Sequence, residues 1–232
     1  MAIRILPFRD YNEHDVVNIY RMDGAKGAFI DLSDGSKRST DAGDAGVFVK
    51  VKNGLLGGGS LGGWDPVDVS SNPASLLGKT DYPHVGRNLY PQATLTIEPV
   101  AASGDPCLGI TLRQTVEKDE NGENLLYNPV KKDELFGVLP GEAVPVLSKG
   151  LITITDAAVN GSLSVGQNLI TSANGKVSGV AYGTANDSIG LVIGNGARED
   201  AIHGTGTIGA TNVFGQYGYQ SGAYYMVKLN CA

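Results

Sequence analysis

The sequence predicts an all-β chain: a hairpin-rich β domain plus a small β-barrel, with long glycine-rich loops and an extended N-terminal arm. Three observations carry this. Glycine supplies 33 of 232 residues, about twice its usual share, and is spread without a collagen-like period. Asn-Gly occurs five times, at Asn53, Asn121, Asn160, Asn174 and Asn195, and it is the strongest short-range hairpin signal because both residues tolerate the positive φ of a type I′ turn. No window of helical length keeps apolar residues at i, i+3, i+4 and i+7 without a Gly or Pro interruption, so helix should stay well below the usual third of residues.

The elements follow in order. Residues 1–20 form the expected arm: they combine Pro7, scattered aromatics and alternating charge with no clear turn, as a segment that orders on docking would. Its candidate contact residues are Ile5, Phe8 and Tyr11. Residues 21–147 form the β-rich domain. Within it, residues 47–52 alternate, with Val47, Val49 and Val51 on one face and Phe48, Lys50 and Lys52 on the other, which predicts a strand. The loop 54–75 follows; its first twenty residues hold six glycines, two prolines and the single Trp64, the composition of a surface excursion. Residues 108–118, rich in β-branched side chains, then Asp119-Glu-Asn-Gly122, then residues 123–127 read as strand, turn, strand. Short helical turns are possible at 72–77 and 131–136. Residues 148–232 form the barrel or sandwich domain, with short strands expected at 151–155, 167–171, 176–181, 188–193 and 224–229, separated by Gly, Asn and Ser.

Charge and composition exclude several classes of function. A net charge of -6 and basic runs no longer than the pairs Lys37-Arg38 and Lys131-Lys132 argue against nucleic acid, which needs clustered cations; each pair sits beside Asp, Ser or Glu and reads as a solvated turn. Residues 1–10 read MAIRILPFRD and show no signal peptide. The apolar runs are far too short to span a bilayer, which takes about 20 residues. A soluble protein with no membrane partner is expected. Cys107 and Cys231 are too few for a disulfide framework and lack zinc-ligand spacing; they read as buried thiols, with a single bridge between them as the alternative, although nothing in the sequence brings such distant positions together.

Four patterns resemble chemical sites. Gly58-Gly-Ser60-Leu-Gly62 fits the nucleophile elbow of α/β-hydrolases, but that elbow needs a helix after the serine, and here more glycine, Trp64 and Asp65-Pro66 follow. Gly204-Thr-Gly206-Thr-Ile-Gly209 fits the dinucleotide fingerprint, but the following residues have no helical period and the acidic residue about 20 positions later is missing. His14, His84 and His203 each lie near a carboxylate in sequence, which says nothing about convergence in space. Asp119-x-Asn121 opens like an EF-hand loop, but its glycine comes too early and no helices flank it. No catalytic residue, cofactor or metal is expected, and the chain does not read as an enzyme.

What remains suits contacts. Tyr217, Tyr219, Tyr224 and Tyr225 crowd the last part of the sequence, and Tyr82 and Tyr90 stand just before the two prolines Pro83 and Pro91 that bound residues 83–91. Tyrosine offers large contact area with a polar handle, and it serves β cores equally well. The residues 224–229 read most simply as a final strand. Trp64, Tyr82, Tyr90, Tyr217 and Tyr219 therefore join Ile5, Phe8 and Tyr11 as candidate interface residues, with packing over the chain's own core as the alternative for each.

Several segments carry a family resemblance: the opening Met-Ala-Ile-Arg-Ile-Leu-Pro-Phe-Arg-Asp-Tyr, residues 44–50, residues 77–83, Asp119-Glu-Asn-Gly-Glu123, and the stretch beginning Leu139-Pro-Gly-Glu-Ala-Val-Pro. They resemble virion structural proteins of tailed bacteriophages. The last stretch, continuing through Gly166-Gln-Asn-Leu169, Gly175-Lys-Val177 and Ile189-Gly-Leu-Val-Ile-Gly194, is similar to the small β-barrel of head decoration, or cement, proteins. The resemblance implies a protein made in the host cytoplasm that sits on the outer surface of the capsid and binds the major capsid protein. It further implies a homo-oligomer, trimers being common in the family, and no catalytic residue. A phage tail or fibre protein and a glycan-binding β-sandwich are the rival readings.

Overall fold

A computed structural model describes residues 4–22, 43–53, 95–119, 121–184, 187–198 and 222–231. Along them run β1 (Ile5–Asp10), β2 (Val16–Val17), β3 (Tyr20–Met22), β4 (Phe48–Asn53), β5 (Leu95–Pro99), β6 (Gly109–Thr111) and β7 (Gln114–Thr115). The helix α1 (Pro129–Glu134) follows, then β8 (Gly137–Val138), β9 (Val146–Leu147), β10 (Lys149–Thr155), β11 (Asn168–Ser172), β12 (Lys176–Val180), β13 (Gly190–Arg198) and β14 (Gly222–Asn230). The all-β class holds: α1 is the single α-helix among the described residues.

The strands form two six-stranded sheets and a small pair. The first sheet runs β1-β10-β14-β13-β11-β12 and the second β2-β9-β6-β4-β5-β3, while β7 pairs with β8. All pairings are antiparallel except β3 with β5 and β7 with β8. The five strands expected after residue 148 are β10 to β14. The clearest is β14, where Tyr225, Val227 and Leu229 are buried and Met226, Lys228 and Asn230 are exposed, the period of two that one covered face imposes.

One hydrophobic cluster joins the sheets. Ile152, Ile154, Leu169, Val192, Val227 and Leu229 of the first sheet meet Phe48, Ile110 and Leu147 of the second. On the opposite face of the second sheet, Val47, Val49, Ile97 and Val146 pack with Val138 and Val144. Thus β4 alternates as its sequence predicts, but both of its faces are covered near its start; the strand emerges only at Val51, 42% exposed. Among the described residues no strand pairing closes either sheet into a barrel; the sheets share a core instead. The division at residues 147 and 148 marks the step from the second sheet to the first, since β9 ends at Leu147 and β10 starts at Lys149. The main cluster draws on residues from both sides of that step.

Three expectations need correction. Within the expected arm, the described residues 4–20 lie along the sheets instead of standing free: β1 pairs with β10, β2 with β9, and β3, which begins at Tyr20, with β5. The apolar Ile5 and Tyr11 gain more by packing against the main cluster than they would in solvent. The hairpin at 108–127 is also different. β6 pairs with β4 and β9, β7 with β8, and across the turn the pairing is short: the isolated antiparallel bridge of Lys118 to Asn124, with the Asp119 N–H donating to the Glu123 carbonyl and the Leu125 N–H to the Glu117 carbonyl. There the Asn124 side chain accepts the Leu126 N–H and turns the chain toward α1. Of the Asn-Gly pairs, Asn174-Gly175 makes the tight connection between β11 and β12, with φ of 61° and 65°. Asn195-Gly196 instead lies inside β13, where the Tyr224 ring of the neighbouring strand occupies the space a Cβ on Gly196 would need. Asn160-Gly161 leads from a 3-10 turn toward β11 rather than joining paired strands.

Candidate interface

The chain's first described strand shows how the contact residues are distributed. Ile5 lies opposite Ile154 and Arg9 opposite Ile152, so β1 carries an irregular bulge between them. Pro7 falls in that bulge on the sheet's edge, the place where a residue without an N–H breaks no ladder bond. The consequence is that Phe8 points away from the sheet and is 70% exposed, while Ile5 and Tyr11 pack inward. The Arg9 guanidinium lies 6.0 Å from the centre of the Tyr11 ring, within cation–π range. Of the three expected contact residues here, Phe8 is exposed, whereas Ile5 and Tyr11 are half-buried. Trp64, Tyr82, Tyr90, Tyr217 and Tyr219 lie outside the described residues. Tyr225 is core and Tyr224 half-buried.

A second group of exposed apolar side chains surrounds α1. Asn128 caps the helix by accepting the Lys131 N–H, and Pro129 takes the first helical position, the residue pair that favours a helix start. Lys132 reaches Glu142 at 3.2 Å, and Glu142 also accepts the Leu139 N–H. Beneath this lies a small cluster of Val116, Leu125 and Leu139. It is too small to cover its neighbours: Tyr127 is 62% exposed, Val130 68% and Phe136 68%. Phe136, at the end of the helix, has φ +49°. A bulky side chain there costs about 1 kcal/mol relative to glycine. Sequence reasoning overlooked these residues. Their signal was the density of Leu125-Leu-Tyr127 and Leu135-Phe136, more apolar surface than a six-residue helix and two two-residue strands can bury.

Two carboxylates of the described region, Asp105 and Asp119, brace turns of the scaffold. Asp105 accepts N–H groups of Ala101 and Ala102 and the Lys50 ammonium at 2.9 Å. The Ala101 N–H first, then Lys50, hold its carboxyl below the ordinary range, and Asp105 in turn raises Lys50. Asp119 is buried and accepts the N–H groups of Asn121 and Glu123, so its carboxylate braces its own turn. His14 is exposed in a 3-10 turn. His84, His203, Ser60 and the glycine pattern at 204–209 lie outside the described residues. Among the described residues no group of three His, Cys, Asp or Glu side chains is placed to hold a metal, and no helix is long and apolar enough to cross a membrane. No protein-family model, curated protein or solved structure matches the chain.

Proposed function

We propose that this protein is a structural component of a tailed-bacteriophage virion, a decoration or cement protein that binds the outer face of the major capsid shell and stabilises it by non-covalent contacts. The segments quoted above that resemble phage head proteins support the reading. The observation that carries it is the set of large apolar side chains left in solvent: Phe8, Tyr127, Val130, Phe136 and Tyr182, between 62% and 77% exposed. Single exposed apolar residues are ordinary, but aromatics held out on a well-packed scaffold, one of them at a strained backbone position, are the usual anchors of protein contacts. A capsid lattice multiplies such modest contacts, so that an oligomer engaging several sites binds far more tightly than one copy alone.

The test is co-sedimentation of the purified protein with phage capsids assembled without it. Wild-type protein should pellet with the shells, and the double variant Phe8→Ser, Phe136→Ser should bind roughly tenfold or more weakly. A wild-type protein that stays in the supernatant with every tailed-phage shell tried ends the capsid reading.

A further inference from the structure

Cys107 and Cys231 stand 124 positions apart in sequence, yet the fold brings their sulfur atoms to 3.8 Å, with no bond between them. Both are buried in the cluster shared by the two sheets. Cys107 lies between β5 and β6 of the second sheet, and its sulfur is 3.6 Å from the Gly109 carbonyl oxygen. Cys231 directly follows β14, the strand flanked by β10 and β13 near the middle of the first sheet; its N–H donates to the Ser148 carbonyl at 3.0 Å. Two cysteines used only as small apolar fillers have no reason to meet. These are the only two in the chain, and they meet at the seam between sheets.

We propose that Cys107 and Cys231 are a redox modification site, closing into a disulfide when the protein encounters low-molecular-weight disulfides and thereby tying β14 to the second sheet. A disulfide needs a sulfur separation of about 2.05 Å, so the two atoms must approach by roughly 1.8 Å. Neither residue is inside a strand, and side-chain rotation with a small loop adjustment supplies that movement without breaking a ladder.

The chemistry balances with a small disulfide such as oxidised glutathione as the oxidant. One protein thiol loses its proton and attacks a glutathione sulfur, displacing one glutathione thiolate and leaving a mixed disulfide. The second protein thiolate attacks the protein sulfur of that bond and releases the other glutathione. Two thiols are oxidised, one disulfide is reduced, and the two protons leave on the two glutathiones. The Cys107 thiol is pushed well above its ordinary range, first by its hydrogen bond with Cys231 and then by burial. Because the thiolate is the nucleophile and both thiols are buried, the reaction is slow near neutral pH and quickens as pH rises, and glutathione is admitted by transient fraying beyond the end of β14. The cross-link encloses a long stretch of chain and so restricts the unfolded state strongly.

The experiment treats fully reduced native protein with oxidised glutathione at about pH 8.5, followed by alkylation, intact mass measurement and peptide mapping. The expected product has lost two hydrogens, carries Cys107 and Cys231 in one linked peptide, and melts roughly 5–15 °C higher; dithiothreitol reverses both changes. The Cys231→Ser variant should show no linkage and no oxidant-dependent shift. If that variant does not fold, peptide mapping of the wild type decides alone. Two free thiols after the urea-unfolded chain has oxidised, a reaction that stops at the glutathione adduct, or cross-linking only between molecules overturns the proposal. A bridge formed without a rise in Tm overturns the clamp.

Discussion

Thr153 is 1% exposed, and its hydroxyl meets no hydrogen-bond partner. It sits between Ile152 and Ile154, whose side chains enter the main core, so strand alternation sends Thr153 to the other face of β10. An unsatisfied buried hydroxyl costs about 1–3 kcal/mol, and replacement by an apolar group of the same shape recovers part of that. Thr153→Val should therefore raise unfolding free energy by about 0.5–1.5 kcal/mol, read from the urea midpoint at constant m. An unchanged or lower midpoint would show that the hydroxyl is satisfied. Residues of this kind are illegible in sequence: a threonine in a β-branched run looks the same whether its face is wet or dry. Phe8 and Phe136 differ in legibility for a similar reason. Phe8 stood out because it lies in a segment with Pro7 and charges, whereas Phe136 reads as an ordinary apolar residue until the helix end gives it φ +49°.

At the scale of elements, the ribbon of β1 with β10 and β2 with β9 passes from one sheet to the other. The step is made by the 3-10 turn Glu13–Asp15 on one strand and by Ser148 on the other, and the Ser148 N–H and hydroxyl both donate to the Asp15 carbonyl. Just beyond, Gly150 has φ +137°, and a Cβ there would lie 2.5 Å from the Tyr11 Cβ. Gly150→Ala should cost about 2–4 kcal/mol, combining an unfavourable backbone region with overpacking, and it should do so by loosening the first strand. Hydrogen exchange is the measurement: amides of β1 should lose more protection than those of β11 and β12. Equal loss everywhere would place the strain elsewhere. The strands themselves were largely legible, β4 and β10 to β14 from alternation and Asn-Gly punctuation. Their pairing was not. β1 finds β10 across more than a hundred positions, and local pattern is silent about partners that distant.

For the whole molecule, the shared cluster decides how the protein unfolds. A boundary at residue 148 taken as a domain limit would give two melting transitions. Phe48, Ile110 and Leu147 pack in the same cluster as Ile152, Val227 and Leu229, so removing one sheet strips the other of its covered face. One calorimetric transition with equal calorimetric and van't Hoff enthalpies is expected; two resolved peaks would mean that the sheets unfold independently. The disulfide proposed at Cys107 and Cys231 crosses that same seam and should raise the single transition without splitting it.

The amino-acid sequence alone determined the β class, the positions of most strands and the poverty of helix, because turn chemistry and side-chain periodicity are local properties. Tertiary structure alone decided that the N-terminal segment is an edge strand and that β4 is covered on both faces. It also decided that Tyr11 is half-buried against the main cluster while Phe8 is exposed, and that two distant cysteines touch. Each depends on which surfaces meet after collapse, and burial is a property of the partner as much as of the residue.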